Sequence, residues 1–171
     1  MNRRTRLRRT GILCLHFMRS VAFYRAWTAL SAARRKEQFW RTTNGNFIDM
    51  AVLDWCKLFG DKNAKHHWSK SVTDHATFLR GLHTRTSLNT VAFEAYRLQV
   101  RTYRDKFVAH LDELQTMDIP NLQPALESVR FLYQFLHDSE DDVDAFIDAP
   151  DNAVTYYREH LLLGRQTQES V

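Results

Sequence analysis

The sequence predicts an all-α fold, a bundle of about five to six helices. Three observations carry that prediction. Only five glycines and three prolines occur in 171 residues, so little interrupts a helix. Apolar residues recur at spacings of three and four, and nowhere do they alternate for long as a half-buried strand requires. At this length one domain can bury a core without staples. The cysteines, Cys14 and Cys56, lie far apart and form no CxxC. That usage fits a reducing, cytoplasmic setting.

Residues 1–17 carry Arg3, Arg4, Arg6, Arg8 and Arg9. They read as a basic N-terminal arm, either disordered or lying ahead of the true translation start, in front of a helical domain over residues 18–171. A start at Met18 would remove five arginines and no acid, taking the net charge from +4 to −1. The apolar run that begins at Gly11 does not make a signal peptide, because His16 and Arg19 interrupt it and no small-residue cleavage site follows. No stretch reaches the roughly 20 apolar residues of a membrane-spanning helix. Residues 1–41 hold eleven Arg and Lys against Glu37 alone, a charge of +10, while the rest of the chain carries −6. Broad attraction to a polyanion therefore belongs to the N-terminal part, whose basic arm is suited to tracking phosphates.

Residues 11 to about 38 read as a helix packed on several sides, since Met18, Val21, Ala22, Tyr24, Trp27, Ala29 and Leu30 leave little room for a wet face. Asn44-Gly45-Asn46 signals a turn, with Asn46 as N-cap of the next helix. The stripe Ile48, Val52, Trp55 and Phe59 then ends at Gly60, a C-terminal stop. Residues 61–70 form a polar loop anchored on the core by Trp68. His66, His67, His75 and His83 lack the spacing that puts two ligands on one helical face, and no carboxylate completes a set, so no metal site is read there. A short helix is expected over residues 72–83 and a long one over 91–114. After a break at residues 118–124, with Pro124 in the first helical turn, Leu126, Val129, Tyr133 and Leu136 make a buried face widened by Phe131 and Phe135. Six acids over residues 138–148 read as a solvated linker that shields the body or pairs with the basic N-terminal part; the order of an EF-hand is missing. A last helix is expected over residues 151–164, with Gly164 as its stop.

The candidate chemistry concentrates late in the long fourth pattern. Tyr96, Val100, Tyr103, Phe107, Leu111 and Leu114 form one apolar stripe. At about 100° per residue, Arg104 falls just beyond one edge of it and His110 just beyond the other. Arg97 and Arg101 extend the arginine edge, and Lys106 stands one turn before His110. A cationic rim around an imidazole suits a phosphate. Arg9 with His16 and Arg130 with His137 repeat the bare pattern, but only Arg104 is followed by an acid, Asp105. The competing reading is ordinary helix-surface pairing, Arg101 with Asp105 and Glu94 with Arg97.

The segment Arg-Asp-Lys-Phe-Val-Ala-His-Leu-Asp from Arg104 to Asp112 resembles the HEPN superfamily, whose motif is an Arg, a polar residue and, after a short spacer, a His. It is most similar to the abortive-infection type of bacterial HEPN proteins. The resemblance implies an antiparallel four-helix core with extra helices, and Arg104, Asp105 and His110 as motif residues. It implies a metal-independent, cofactor-free endoribonuclease of a phage-defence or toxin-antitoxin kind, acting on RNA such as tRNA from a cleft between two copies. A nucleotidyltransferase-type antitoxin is the implied partner. Other members only bind, so the alternative is a non-catalytic module for nucleotide, RNA or protein.

The chemistry of the residues agrees with the resemblance. RNA supplies its own nucleophile, so the protein needs a base near the 2′-hydroxyl and positive charge on the phosphorane. His110 suits the first task and Arg104 the second. Arg97, Arg101, Lys106 and Tyr103 are the candidate phosphate and substrate contacts. Asp105, about 100° from Arg104 on an ideal helix, is expected to orient a neighbour or a water. Six residues of ideal helix rise about 9 Å, so a homodimer that sets Arg104 of one chain against His110 of the other is expected.

Overall fold

The computed structural model describes residues 1–27, 30, 36–108 and 118–169, and among these it shows six α-helices and no strand. The first, α1 (Arg3–Ala26), opens on Asn2, whose side chain accepts from the Thr5 amide at 2.8 Å. The residues read as a separate basic arm are the first half of this helix. Leu7, Cys14 and Phe17 are fully buried, and the Thr10 and Ser71 hydroxyls lie 3.0 Å apart. A helical stripe at residues 7, 10, 11, 14, 17 and 18 runs between the arginines, whose number hides it in a composition count.

The second helix, α2 (Gln38–Trp55), continues into a π turn (Cys56–Gly60) and passes straight through Asn44-Gly45-Asn46. The expected turn and the Asn46 cap are absent, and the cap position falls on Glu37. Packing overrides the local preference: Asn44 is buried, and Phe47 meets Phe23 of α1 with ring centroids 5.3 Å apart. Then come α3 (His75–Thr86), capped by Asp74, and α4 (Thr90–Tyr103), capped by Asn89, which continues into a π turn (Arg104–Val108). Asn121 caps α5 (Leu122–Phe135), which has Pro124 in its first turn and ends in a third π turn (Leu136–Glu140). Asn152 accepts from the Val154 and Thr155 amides at the start of α6 (Ala153–Glu169).

Gly164, expected as a stop, lies inside α6. A Cβ there would come within 2.8 Å of Ala26 Cβ and 3.0 Å of Phe23 Cδ1. Its role is to let α6 approach α1 closely.

All six helices bury residues in one core. Arg25, near the end of α1, bonds Gln123 at the start of α5 (2.8 Å), while Arg3 bonds Glu140 beyond its end (3.0 Å), so these two run antiparallel. Tyr103 with Asp49, Tyr96 with Trp55 and Phe93 with Phe59 make α4 antiparallel to α2. Trp55 Nε1 donates to Ser128 Oγ at 3.0 Å and ties α2 to α5. Within it α3 lies on α5, with Phe78 against Phe131 and Phe135. On the other side Tyr157 of α6 touches Arg25 and Arg130. No helix among the described residues is long and apolar enough to cross a membrane.

The acidic stretch after α5 is built in, taking the second of its two expected roles. Glu140, 3 % exposed, accepts from the Thr73 amide and hydroxyl and pairs with Arg3. Arg3 also bonds Asp142 at 2.7 Å.

Candidate functional site

The stripe that positions α4 is seated as expected. Tyr96, Val100 and Tyr103 are buried, and Phe107 packs against the core partly covered. Tyr103 therefore does not stand on the rim with the substrate contacts: it is 2 % exposed, and its hydroxyl donates to Asp49 Oδ1 at 3.2 Å. His110, with Leu111 and Leu114, lies outside the described residues.

Arg104 opens the π turn. Such a turn holds one residue more than an α turn, so the chain beyond Arg104 departs from the ideal wheel. Asp105 turns to its neighbour: its Oδ1 accepts from Arg104 Nε at 2.8 Å and lies 2.7 Å from Nη2. On the other side Nη1 bonds Asp61 Oδ2. Burial works against the Arg104 charge, but Asp105 and Asp61 outweigh it and raise the guanidinium above its already high ordinary pKa. The other oxygen of Asp61 lies 3.5 Å from Arg101 Nε, an ion pair without hydrogen-bond geometry. One carboxylate thus serves two arginines, and the expected Arg101–Asp105 pair gives way to it.

One turn earlier, Arg97 grips Glu94, the pair expected from the sequence, and donates from Nη1 to the Gly60 carbonyl at 2.6 Å. The Arg97 hydrogen bonds hold the Glu94 carboxyl below its usual range. Arg97, Arg101 and Arg104 therefore line α4 where it meets the π turn after α2, with Lys106 half-buried on the motif turn. Beneath them burial pushes the Cys56 thiol up to about 12, so it is a protonated packing group and no nucleophile.

Asp61 was missed as a site residue because it belongs to the polar loop. Its place is fixed locally by its amide, which bonds Cys56 O at 2.9 Å across the π turn. The rest of the loop is anchored as expected, with Trp68 stacked on Phe78 at 4.8 Å. His67 Nδ1 lies 2.8 Å from Ser69 Oγ, and burial pushes its imidazole down to about 4. His75 Nε2 faces the Ser69 and Val72 carbonyls at 3.0 and 3.1 Å. Among the described residues no group of three or more His, Cys, Asp and Glu is placed to hold a metal ion. Between this loop, α3 and α4 lies a cavity of about 380 Å³ lined by Phe59, Lys62, Trp68, His83, Phe93 and Arg97.

The other two Arg/His coincidences separate from this site. Arg130 pairs with Glu127 and covers the Tyr157 ring at 4.3 Å, and His137 bonds its neighbour Asp138. Arg9 sits exposed on α1.

Compared with known proteins, the chain matches no family model, no curated protein and no solved structure. The class that fold and site define is an all-α bundle with an arginine ridge bracketed by carboxylates.

Proposed function

We propose that this protein is a metal-independent endoribonuclease of the HEPN kind, of a bacterial defence or toxin-antitoxin type. The observation that carries this reading is the setting of Arg104: a guanidinium locked by Asp61 and Asp105 at the start of a π turn, with Arg101 and Arg97 behind it on one ridge. A fixed fork of donors is what a phosphorane needs, and π turns recur at functional sites.

In the proposed reaction His110 removes the proton of the RNA 2′-hydroxyl, and O2′ bonds to the phosphorus. The bond from phosphorus to O5′ breaks, and the leaving oxygen takes the proton that His110 removed. Arg104 balances the charge on the non-bridging oxygens. To do so it must exchange one carboxylate partner for phosphate, and Asp61, on the loop, is the one that can withdraw. The products are a 2′,3′-cyclic phosphate and a 5′-hydroxyl. His110 is supplied by a second copy across the dyad, and an antitoxin of nucleotidyltransferase type is a fitting partner for such an activity.

A second reading has its own observation. All three arginines already have carboxylate or carbonyl partners, as in a non-catalytic module that binds nucleotide, RNA or protein.

The test is incubation of wild type, Arg104→Ala and His110→Ala with bacterial RNA in EDTA, with fragment ends mapped and the oligomeric state followed by sedimentation. Cleavage by the wild-type dimer alone, leaving cyclic phosphate ends, is expected. Uncut RNA from a folded dimer would move the reading to the binding module, and a monomer that cleaves would end the composite site.

A further inference from the structure

The N-terminal arginines divide into two sets. Arg3 and Arg4 turn toward the acidic stretch, Arg3 onto Glu140 and Asp142 and Arg4 onto the Asp144 carbonyl. Arg6 meets the loop that carries Asp61, and Arg9 stands exposed one turn further along α1, its guanidinium 3.8 Å from Met1 Sδ. Arg6 Nη1 donates to Lys70 O at 2.9 Å, and the Thr10–Ser71 contact pins the loop to α1 one turn further on. The buried Nε of Arg6 finds no partner.

Two lysines join these arginines from elsewhere in the chain. Lys57, on the π turn after α2, is half exposed, its ammonium 2.8 Å from the buried carboxylate of Asp54. Lys65 is exposed at the middle of the loop. The loop also carries His66, whose buried Nδ1 has no partner. Burial first, and then the charges of Arg9, Lys57, Lys65 and Arg6, push the pKa of that imidazole down.

The same loop reaches the arginine ridge. Its start is tightly wound, with Ala64 N on Asp61 O at 2.8 Å and His67 N on Ala64 O at 3.2 Å. Four residues of chain span at most about 14 Å even when extended, which bounds the Cα separation of Lys65 from Asp61, whose carboxylate holds Arg101 and Arg104. A polyanion with closely spaced charges can touch both ends at once. A single small anion cannot.

We propose that Arg6, Arg9, Lys57 and Lys65 form a phosphate ledge along which the backbone of a single-stranded RNA runs to the arginine ridge of α4. The destination rests on the ribonuclease reading; the ledge itself is a separate surface built by α1, the π turn after α2 and the loop. Its specificity is for the sugar–phosphate chain, with no base readout.

The test uses the full chain and a labelled 2′-O-methyl RNA, which lacks the nucleophile and stays intact, with binding followed by anisotropy across a range of salt. The double variant Arg9→Ser, Lys65→Ser is compared with Arg8→Ser, Arg19→Ser, which removes the same charge from other exposed positions of α1. Loss of two phosphate contacts should flatten the plot of log affinity against log salt by about 1.4 in slope, with little change in the control. Equal slopes for the two variants would overturn the ledge, as would failure of wild type to bind. Unmodified RNA separates the two claims: cleavage with an unchanged slope sinks only the ledge, while a flattened slope without cleavage by wild type supports the ledge and removes the nuclease.

Discussion

Arg104 and Arg130 are covered to the same degree, each side chain 16 % exposed. Both pair with acids, and both precede a histidine. Arg130 is held by its own helix, through Glu127 one turn back at 3.1 Å, with its guanidinium 4.3 Å over the Tyr157 ring. Arg104 is held along its donor edges by a neighbour and by Asp61, 43 residues away on a loop. A carboxylate on a donor edge occupies the place of a phosphate and can be exchanged for one. Glu127 holds such an edge of Arg130 too, but from the same helix, and the Tyr157 ring covers the guanidinium face. Burial and charge therefore do not separate the two arginines; the origin of their partners does.

The sharpest way to break this contrast is by activity. Arg104→Ala should lower RNA cleavage at least about 100-fold, whereas Arg130→Ala should leave the rate within about twofold at a temperature where both variants are folded. Equal losses would erase the distinction.

Acid should also act on one arginine and spare the other, because His67 fastens the loop that delivers Asp61. Its imidazole is pushed from 6.5 down to about 4. Between those values the unfolded chain takes up a proton that the folded chain refuses. The contribution to stability is full above about pH 6.5 and is lost as pH falls toward 4, by roughly 3 kcal/mol at most. Denaturant midpoints across that window should fall in wild type and flatten in His67→Gln.

Stability should reverse the ranking of the arginines. Arg130→Ala removes a cation–π contact and a half-covered ion pair, so urea unfolding should show a loss of about 1–2 kcal/mol. A larger loss for Arg104→Ala than for Arg130→Ala would make Arg104 the structural one. The smallest effect is expected at Asp61→Asn, which removes the competitor for phosphate and should tighten RNA binding by about threefold. Glu127→Gln should not change it.

The helical class was legible because each stripe has the period of its helix. Tyr96, Val100 and Tyr103 show it for α4, and Leu126, Val129 and Tyr133 for α5. What misled were residues with strong local habits. Asn44 and Gly45 favour a turn in a free peptide, yet α2 carries them through because its faces are packed. Gly164 resembles a helix stop, while its missing side chain serves a helix contact that no local signal announces. The arginines of residues 3–9 drew attention from Leu7, Cys14 and Phe17, which belong to the core. At the site, the ridge was legible because Arg97, Arg101 and Arg104 follow helical spacing. Asp61 was not, because its partnership closes only when α4 lies antiparallel to α2.

Three helices, α2, α4 and α5, run on into a π turn. Loss of one residue inside an α-helix swings everything after it by about 100°. A π turn already carries a surplus residue and can absorb the loss by closing to α pitch. Residues 56–60, 104–108 and 136–140 are thus the places where chain length can drift by one during evolution at least cost to the bundle. A related chain one residue shorter within residues 104–108 would then mark a change of winding with the bundle retained.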